Sequence, residues 1–317
     1  MNNAPTSEDR IWAVLSHLSA LAFGMGIVLP IIGWVDQRRK SNYASFQCLQ
    51  ALGYQSLGFT IWILSYLLVL IALVFIMIVA LGLAGDGSEN IDTIIGIWTA
   101  VFIVIIFGLF GTYFLLPIIA AVACALGRDF HYPVMGNRLA RYLEYDPAKE
   151  EWLNEDHEDR WVAAMGHFSI LILLWGILAP LTAWILQGKR SPFLKFQSMQ
   201  TVAYQAVVNV LYFGAVFIYM LGFFAFVAVT GLVGVAQDGG LPLGMLSLVA
   251  FIGFSLLAFV IFLLIPLFHI LGQWAGYRVL KGDDYRYPLV GGIVDKWLSK
   301  QSKAPNDVYV AGDGSLS

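Results

Sequence analysis

The side chains able to do polar chemistry inside this chain are glutamines, tyrosines and histidines, and they come in two matching sets. Residues 45–55 read Ser-Phe-Gln-Cys-Leu-Gln-Ala-Leu-Gly-Tyr-Gln, and residues 195–205 read Lys-Phe-Gln-Ser-Met-Gln-Thr-Val-Ala-Tyr-Gln. At helical spacing Gln47, Gln50 and Tyr54 share one face, as do Gln197, Gln200 and Tyr204, with Gln55 and Gln205 beside them. Both stripes open apolar runs long enough to cross a bilayer. A buried amide without a partner costs about 2–7 kcal/mol, so the stripes must face protein or water and not lipid. Two readings follow. Either the stripes are interhelical hydrogen bonds, worth about 0.6–2 kcal/mol each, or they line a polar groove or pore. His17 and His167 occupy the same place ahead of each stripe. They read as hydrogen-bonded anchors of a hairpin, not as metal ligands.

Charged groups are missing where ion-coupled transport would need them. Residues 42–85, 93–127, 196–237 and 239–277 contain no Asp, Glu, Lys or Arg. Pumps and secondary transporters place such groups near the midplane. No carboxylate pair, His-Glu-x-x-His motif or nucleophile elbow is present, so the chain is expected to be non-enzymatic. The glycine-rich turns follow no strand and lack phosphate-loop spacing, and no cofactor is implied. Cys48 and Cys124 lie in or beside apolar runs without ligand spacing and read as free packing thiols. His269 has no histidine counterpart in the first half and reads as a core residue.

The elements that position these residues are those of a polytopic helical membrane protein. Of 317 residues 59% are hydrophobic and 12% charged, against about a quarter charged in soluble domains. Mean hydropathy is +0.76. No basic tract suggests nucleic acid. Residues 1–10 contain Glu8 and Asp9 but no lysine, so the first apolar segment is not expected to be a cleaved secretory signal. Aligning residues 8–57 with 158–207 needs no gap and gives 18 identities in 50 positions. The copies also end alike, with residues 127–133 answering residues 282–288. This is an internal repeat. The expected organisation is an N-terminal tail (1–7), membrane repeat 1 (8–145), an acidic cytoplasmic linker (146–157), membrane repeat 2 (158–300) and a disordered tail (301–317).

Each repeat opens with an apolar segment broken by glycine and proline into pieces of about a dozen residues, which suit a re-entrant hairpin better than a span. Two long transmembrane helices follow, the second carrying Pro117 or Pro266 and expected to kink there. A surface amphipathic helix closes each repeat, at residues 134–145 and 294–300. The Tyr-Pro pairs at Tyr132 and Tyr287 are expected to stop the third helix. Trp34 and Trp184, ahead of basic loops, suit an interfacial aromatic belt. All lysines and arginines cluster in Arg10, residues 38–40, 128–160, 189–195 and 278–303, and none lies in the acidic turn at 85–92 or in the loop at 237–241. If each broken segment enters and leaves on one face, every cluster lies inside. The repeats are then parallel and both termini cytoplasmic, in the cell inner (plasma) membrane.

The pattern Ala13-x-x-x-His17-x-Ser19, a basic loop, Phe-Gln-x-x-Gln-Ala-Leu-x-Tyr-Gln and a closing Tyr-Arg-Tyr-Pro resembles a bacterial membrane-domain family related to the Tic-twenty-like subunit of the chloroplast protein translocon. Magnetosome membrane proteins of the F type belong to the same group. The resemblance runs nearly the whole chain, twice. Relatives often have histidine where Gln47 and Gln197 stand, and most have one copy. It implies the fold. The charge-free interior, the lack of a catalytic constellation and the cytoplasmic surface made by the linker and two amphipathic helices point to a non-enzymatic multi-pass subunit acting as scaffold or accessory component of a larger complex, with lipid and other membrane subunits as partners. The alternative the resemblance carries is a channel or translocation-conduit component with the glutamine stripes on its path. A lipid- or quinone-binding subunit using the cleft between copies is a third.

Overall fold

A computed structural model describes residues 4–84, 88–149, 151–235 and 241–303, and these contain helices and turns but no strand. Of the expected acidic turn, residues 85–87 lie outside the described residues and residues 88–90 already belong to the next helix; residues 237–240 of the second loop and the tail from 304 onward also lie outside them, while residues 241 and 301–303 are helical. Helix α1 (Ser7–Leu18) starts at a capping box, in which the Asp9 amide donates to Thr6 Oγ1 at 3.2 Å and the Thr6 amide to Asp9 Oδ2 at 2.8 Å. Three-residue turns (Ser19–Ile27) lead into α2 (Val28–Gln37). In the second copy α7 (Glu155–Phe168), Ser169–Ile177 and α8 (Leu178–Gln187) repeat this order.

By length and composition these opening segments could each cross a membrane, but their path shows that they do not. Gln37 Nε2 donates to Glu8 Oε1 at 3.1 Å. A straight helix of that length would part its ends by about 45 Å at 1.5 Å per residue. The chain therefore doubles back within its apolar middle. Phe23 takes φ 52°, ψ −142°, and its counterpart Leu173 takes φ 52°, ψ −130°. Positive φ at a bulky residue is costly, and the surrounding turns hold it in place. Gly26 and Gly176 are required beside them. A Cβ would come within 1.7 Å of the Ser19 carbonyl oxygen in one and 2.0 Å of the Ser169 carbonyl oxygen in the other. Gly33 lets α2 lie against Trp12 and Ser16 of α1, and Gly166 lets α7 lie against Pro180 of α8.

The hairpins are followed by long rods. In the first copy α3 (Asn42–Gly53), a π turn (Tyr54–Gly58) and α4 (Phe59–Ala84) run on continuously, and α5 (Ser88–Ala125) returns. In the second copy α9 (Pro192–Val235) and α10 (Leu241–Leu280) form the pair. At about 1.5 Å per residue α9 is roughly twice the thickness of a hydrocarbon core, so its glutamine-bearing first turns lie at the membrane surface. The apolar parts expose Leu68, Ile71, Phe75, Phe107, Phe217 and Leu263, as a lipid-facing surface requires. Pro117 and Pro266 lie inside α5 and α10. Within the pairs, Trp62 and Trp98 donate to carbonyls of the facing helix at 3.0 and 2.8 Å. Gly222 admits Phe254, which a Cβ would meet at 2.6 Å.

Short amphipathic helices α6 (Gly136–Leu143) and α11 (Val290–Lys303) close the repeats. Leu139 and Leu143 of α6 are buried while Arg138 and Arg141 face out. The fold is thus an all-α polytopic membrane protein of two tandem repeats, each a re-entrant hairpin, two long helices and a surface helix.

The two repeats dock in one direction. Trp161 of α7 donates its indole N–H to the Leu49 carbonyl at 2.9 Å, and its ring lies where a Cβ on Gly53 would be only 2.5 Å from Cζ2. Trp34 donates to Glu158 at 3.0 Å, and Arg38 reaches Glu158 and Asp159 at 3.0 and 2.8 Å. Trp34 is fully buried in this contact, not set in an interfacial belt, because the carboxylate it pairs with comes from the other repeat. No described contact gives Trp184 or Gly188, the counterparts of Trp34 and Arg38, the same hold on Glu8. The face of α1 equivalent to the docked face of α7 carries Ile11 and Leu15, 57% and 42% exposed.

Candidate functional site

Each repeat contains one buried polar network, built from three elements. In the first, His17 comes from α1, Gln47, Gln50 and Tyr54 from α3 and the turn after it, and Asp129 to Tyr132 from the segment after α5. Gln47, Gln50 and His17 are fully buried. Gln47 Nε2 donates to Asp129 Oδ1 at 2.8 Å and to the Phe130 carbonyl at 3.1 Å. Its Oε1 lies 3.0 Å from His17 Nε2 and accepts from Gln50 Nε2 at 3.2 Å. Gln50 also donates to the Phe130 carbonyl at 2.9 Å, and its Oε1 accepts from the Tyr132 amide at 2.6 Å. One glutamine thus satisfies both a carbonyl and an amide of a chain segment that has left its helix.

The amide orientations fix the histidine. Since Gln47 Oε1 can only accept, His17 carries its proton on Nε2, and Nδ1, 3.1 Å from Tyr132 Oη, accepts the phenol proton. Tyr54 stacks on Tyr132 with ring centroids 4.4 Å apart and donates to the Tyr113 carbonyl at 2.7 Å. Gln55 is turned toward the hairpin and donates to the Ser16 carbonyl at 3.2 Å and to Ser19 Oγ at 2.9 Å.

The second repeat reproduces this arrangement. His167 Nε2 lies 3.1 Å from Gln197 Oε1 and Nδ1 2.9 Å from Tyr287 Oη. Gln197 donates to Asp284 at 2.7 Å, Gln200 to the Tyr285 carbonyl at 2.7 Å, and the Tyr287 amide to Gln200 Oε1 at 3.1 Å. Tyr204 stacks on Tyr287 at 3.9 Å, and Gln205 donates to the Gly166 carbonyl at 2.8 Å. Thr201, where the first copy has Ala51, adds a hydroxyl 2.9 Å from His167 Nδ1. Burial pushes the phenols of Tyr132 and Tyr287 well above the usual tyrosine range.

The structure therefore brings together, within each repeat, the glutamine stripe, its tyrosine and its histidine. It does not bring the two stripes to each other. Sequence reasoning missed four members: Asp129, Tyr132, Asp284 and Tyr287. Their signal was available, since both acids and both tyrosines recur at the same offset of 155 residues. His269 stands apart, its Nδ1 bonded to the carbonyl of Ile265 on its own helix at 2.8 Å. Cys48 and Cys124 are free and buried. Among the described residues no three His, Cys, Asp or Glu side chains are grouped so as to hold a metal ion.

The side-chain amides of Gln47, Gln50, Gln197 and Gln200 are engaged within their own repeat, while the Oε1 atoms of Gln55 and Gln205 are buried without a partner. What the network accomplishes is to pin hairpin, long helix and closing turn together.

Two stretches of the chain, residues 8–139 and 158–294, match the family described as the magnetosome magnetite crystal formation protein family. No curated protein and no solved structure is significantly similar to the chain.

Proposed function

Because the chain belongs to the magnetosome magnetite crystal formation protein family, we propose that it is a non-enzymatic architectural subunit of the magnetosome membrane. In this reading it acts as scaffold or accessory component of a membrane complex during crystal formation. Both termini and all the basic loops lie on the cytoplasmic face. The observation that carries the proposal is the closure of the two networks: Gln47, Gln50, Gln197 and Gln200 are all 0% exposed and bonded within their own repeats. Side chains so engaged favour a rigid platform over the wall of a conduit, as in the Tic-twenty-like alternative, where they would need to face water.

The hairpins support the same reading. They fold back on one face, so the charged surface made by the basic loops, the linker and the helices α6 and α11 gathers on a single side, where other subunits can assemble. Gentle extraction of magnetosome membranes, followed by native separation and mass spectrometry, tests this. The expected result is co-migration with a defined set of membrane subunits. A lone species that supports solute flux in liposomes would replace the scaffold with the conduit.

A further inference from the structure

A cavity of about 700 Å³ lies where α4 and α5 of the first repeat meet α7 and the end of α10 of the second. Its volume is within the range of sites that take a small molecule, about 300–1,000 Å³. The walls are apolar and aromatic, with Leu57, Ile61, Trp62, Leu116 and Trp161 among them. Two cations border it, Arg138 of α6 and Lys281 just beyond α10. Both are exposed, and neither has a carboxylate partner among the described contacts. Neighbouring Arg278 and Arg286 differ, being paired with Asp283, Asp284 and Asp295.

One end of the cavity is thus made by helices that face lipid, and the other by surface turns that carry uncompensated positive charge. A soluble anion would find most of its wall apolar. A neutral hydrocarbon would leave both cations unused. We infer that this cavity is a binding site for an anionic phospholipid, with an acyl chain against Trp62 and Leu116 and the phosphate between Arg138 and Lys281. Basic pockets between membrane helices bind acidic headgroups in this way. The site also lies on the seam between repeats, so an occupant contacts both.

The test uses the full chain in detergent, equilibrated with phosphatidylglycerol and phosphatidylcholine of identical acyl chains in equal amounts and read by native mass spectrometry. The parent is expected to retain one phosphatidylglycerol, preferred roughly 25-fold, about fivefold for each cation. Arg138→Ala with Lys281→Ala should bring the preference close to one. Thr112→Trp, which fills the cavity, should remove the retained lipid altogether. Lys296→Ala with Lys300→Ala, on exposed α11, should change neither. Equal retention of the two lipids by the parent, an equal loss in the α11 variant, or retention unaffected by Thr112→Trp would each overturn the assignment. So would palmitate competing as well as the phospholipid, since a carboxylate headgroup would then suffice.

Discussion

Arg38 and Glu158 meet at 3.0 Å across the boundary between the repeats, with side chains only 2% and 1% exposed. The Nε–H is not aligned on the carboxylate oxygen, so the contact is a charge pair more than a hydrogen bond. Trp34 completes it, its indole donating to the other carboxylate oxygen and its ring 4.8 Å from the guanidinium. Removing Arg38 leaves Glu158 buried without a cation, whereas removing Glu158 leaves Arg38 still held by Asp159 at 2.8 Å. Arg38→Ala is therefore expected to cost about 3–5 kcal/mol and Glu158→Ala less, while Arg38→Met with Glu158→Leu should recover most of the Arg38→Ala loss. Denaturation in mixed micelles measures all three. A double variant no better than Arg38→Ala would show that the charge is not what holds the seam.

Trp161 makes a second prediction, because its ring occupies the space above Gly53. Gly53→Ala sets a methyl about one ångström too close to the indole and is expected to cost about 1–3 kcal/mol as overpacking. The counterpart position already carries Ala203. No tryptophan reaches it, since residue 11 is isoleucine where the second copy has Trp161. Ala203→Gly should cost only the helix-propensity difference, about 1 kcal/mol. Equal effects at the two positions would mean that the docking is not one-directional.

The repeat, the hairpins and the glutamine faces were legible because each is a local pattern: identity at a fixed offset, short pieces between glycine and proline, spacing of three and four. Phe23 was not legible as the turning point, because positive φ at phenylalanine has no propensity signal and is imposed by packing. Asp129 and Tyr132 were missed for a related reason. They lie outside the helix whose face they satisfy, so periodicity does not connect them to Gln47. Arg38 with Glu158 joins two copies of a motif that reads, in either copy alone, as a solvated charge. Trp34 was placed in the membrane interface by its position before a basic loop, and only the neighbouring repeat makes that position interior.

Gln50 bridges a carbonyl and an amide of the segment after α5. Gln50→Leu orphans the Tyr132 amide and is expected to destabilise the fold by about 1–3 kcal/mol, as is Gln200→Leu in the second network. Thermal melts of the two variants should show losses of similar size. If the glutamines served a conduit instead, the same variants would melt like the parent and abolish flux.

Tyr132 and Tyr287 give the pH dependence. Burial raises both phenols well above their ordinary value, so the neutral form is the one the fold holds. Their contribution is complete below the unfolded tyrosine value of about 10 and is lost as pH rises from there toward the folded value. Stability should fall above about pH 10. Tyr132→Phe with Tyr287→Phe should flatten that fall while lowering stability near neutrality, because each histidine loses its donor. Near-ultraviolet circular dichroism against pH follows the loss; an unaltered alkaline limb in the double variant would assign it to other groups.

The hydrogen bond from Gln37 to Glu8 closes the first hairpin on one face, and the ion pair of Arg190 with Glu155 at 3.3 Å closes the second. In the proposed topology the loops after the two hairpins share one side of the membrane and the start of α5 lies on the other. Cysteines at exposed positions read this directly. The native Cys48 and Cys124 are fully buried and give little background. In sealed vesicles, Lys40→Cys and Lys189→Cys should react with an impermeant maleimide from the same side, and Asp92→Cys only from the opposite one. If Lys189→Cys instead reacted from the side that labels Asp92→Cys, one opening segment would be a full span and the second repeat would be inverted.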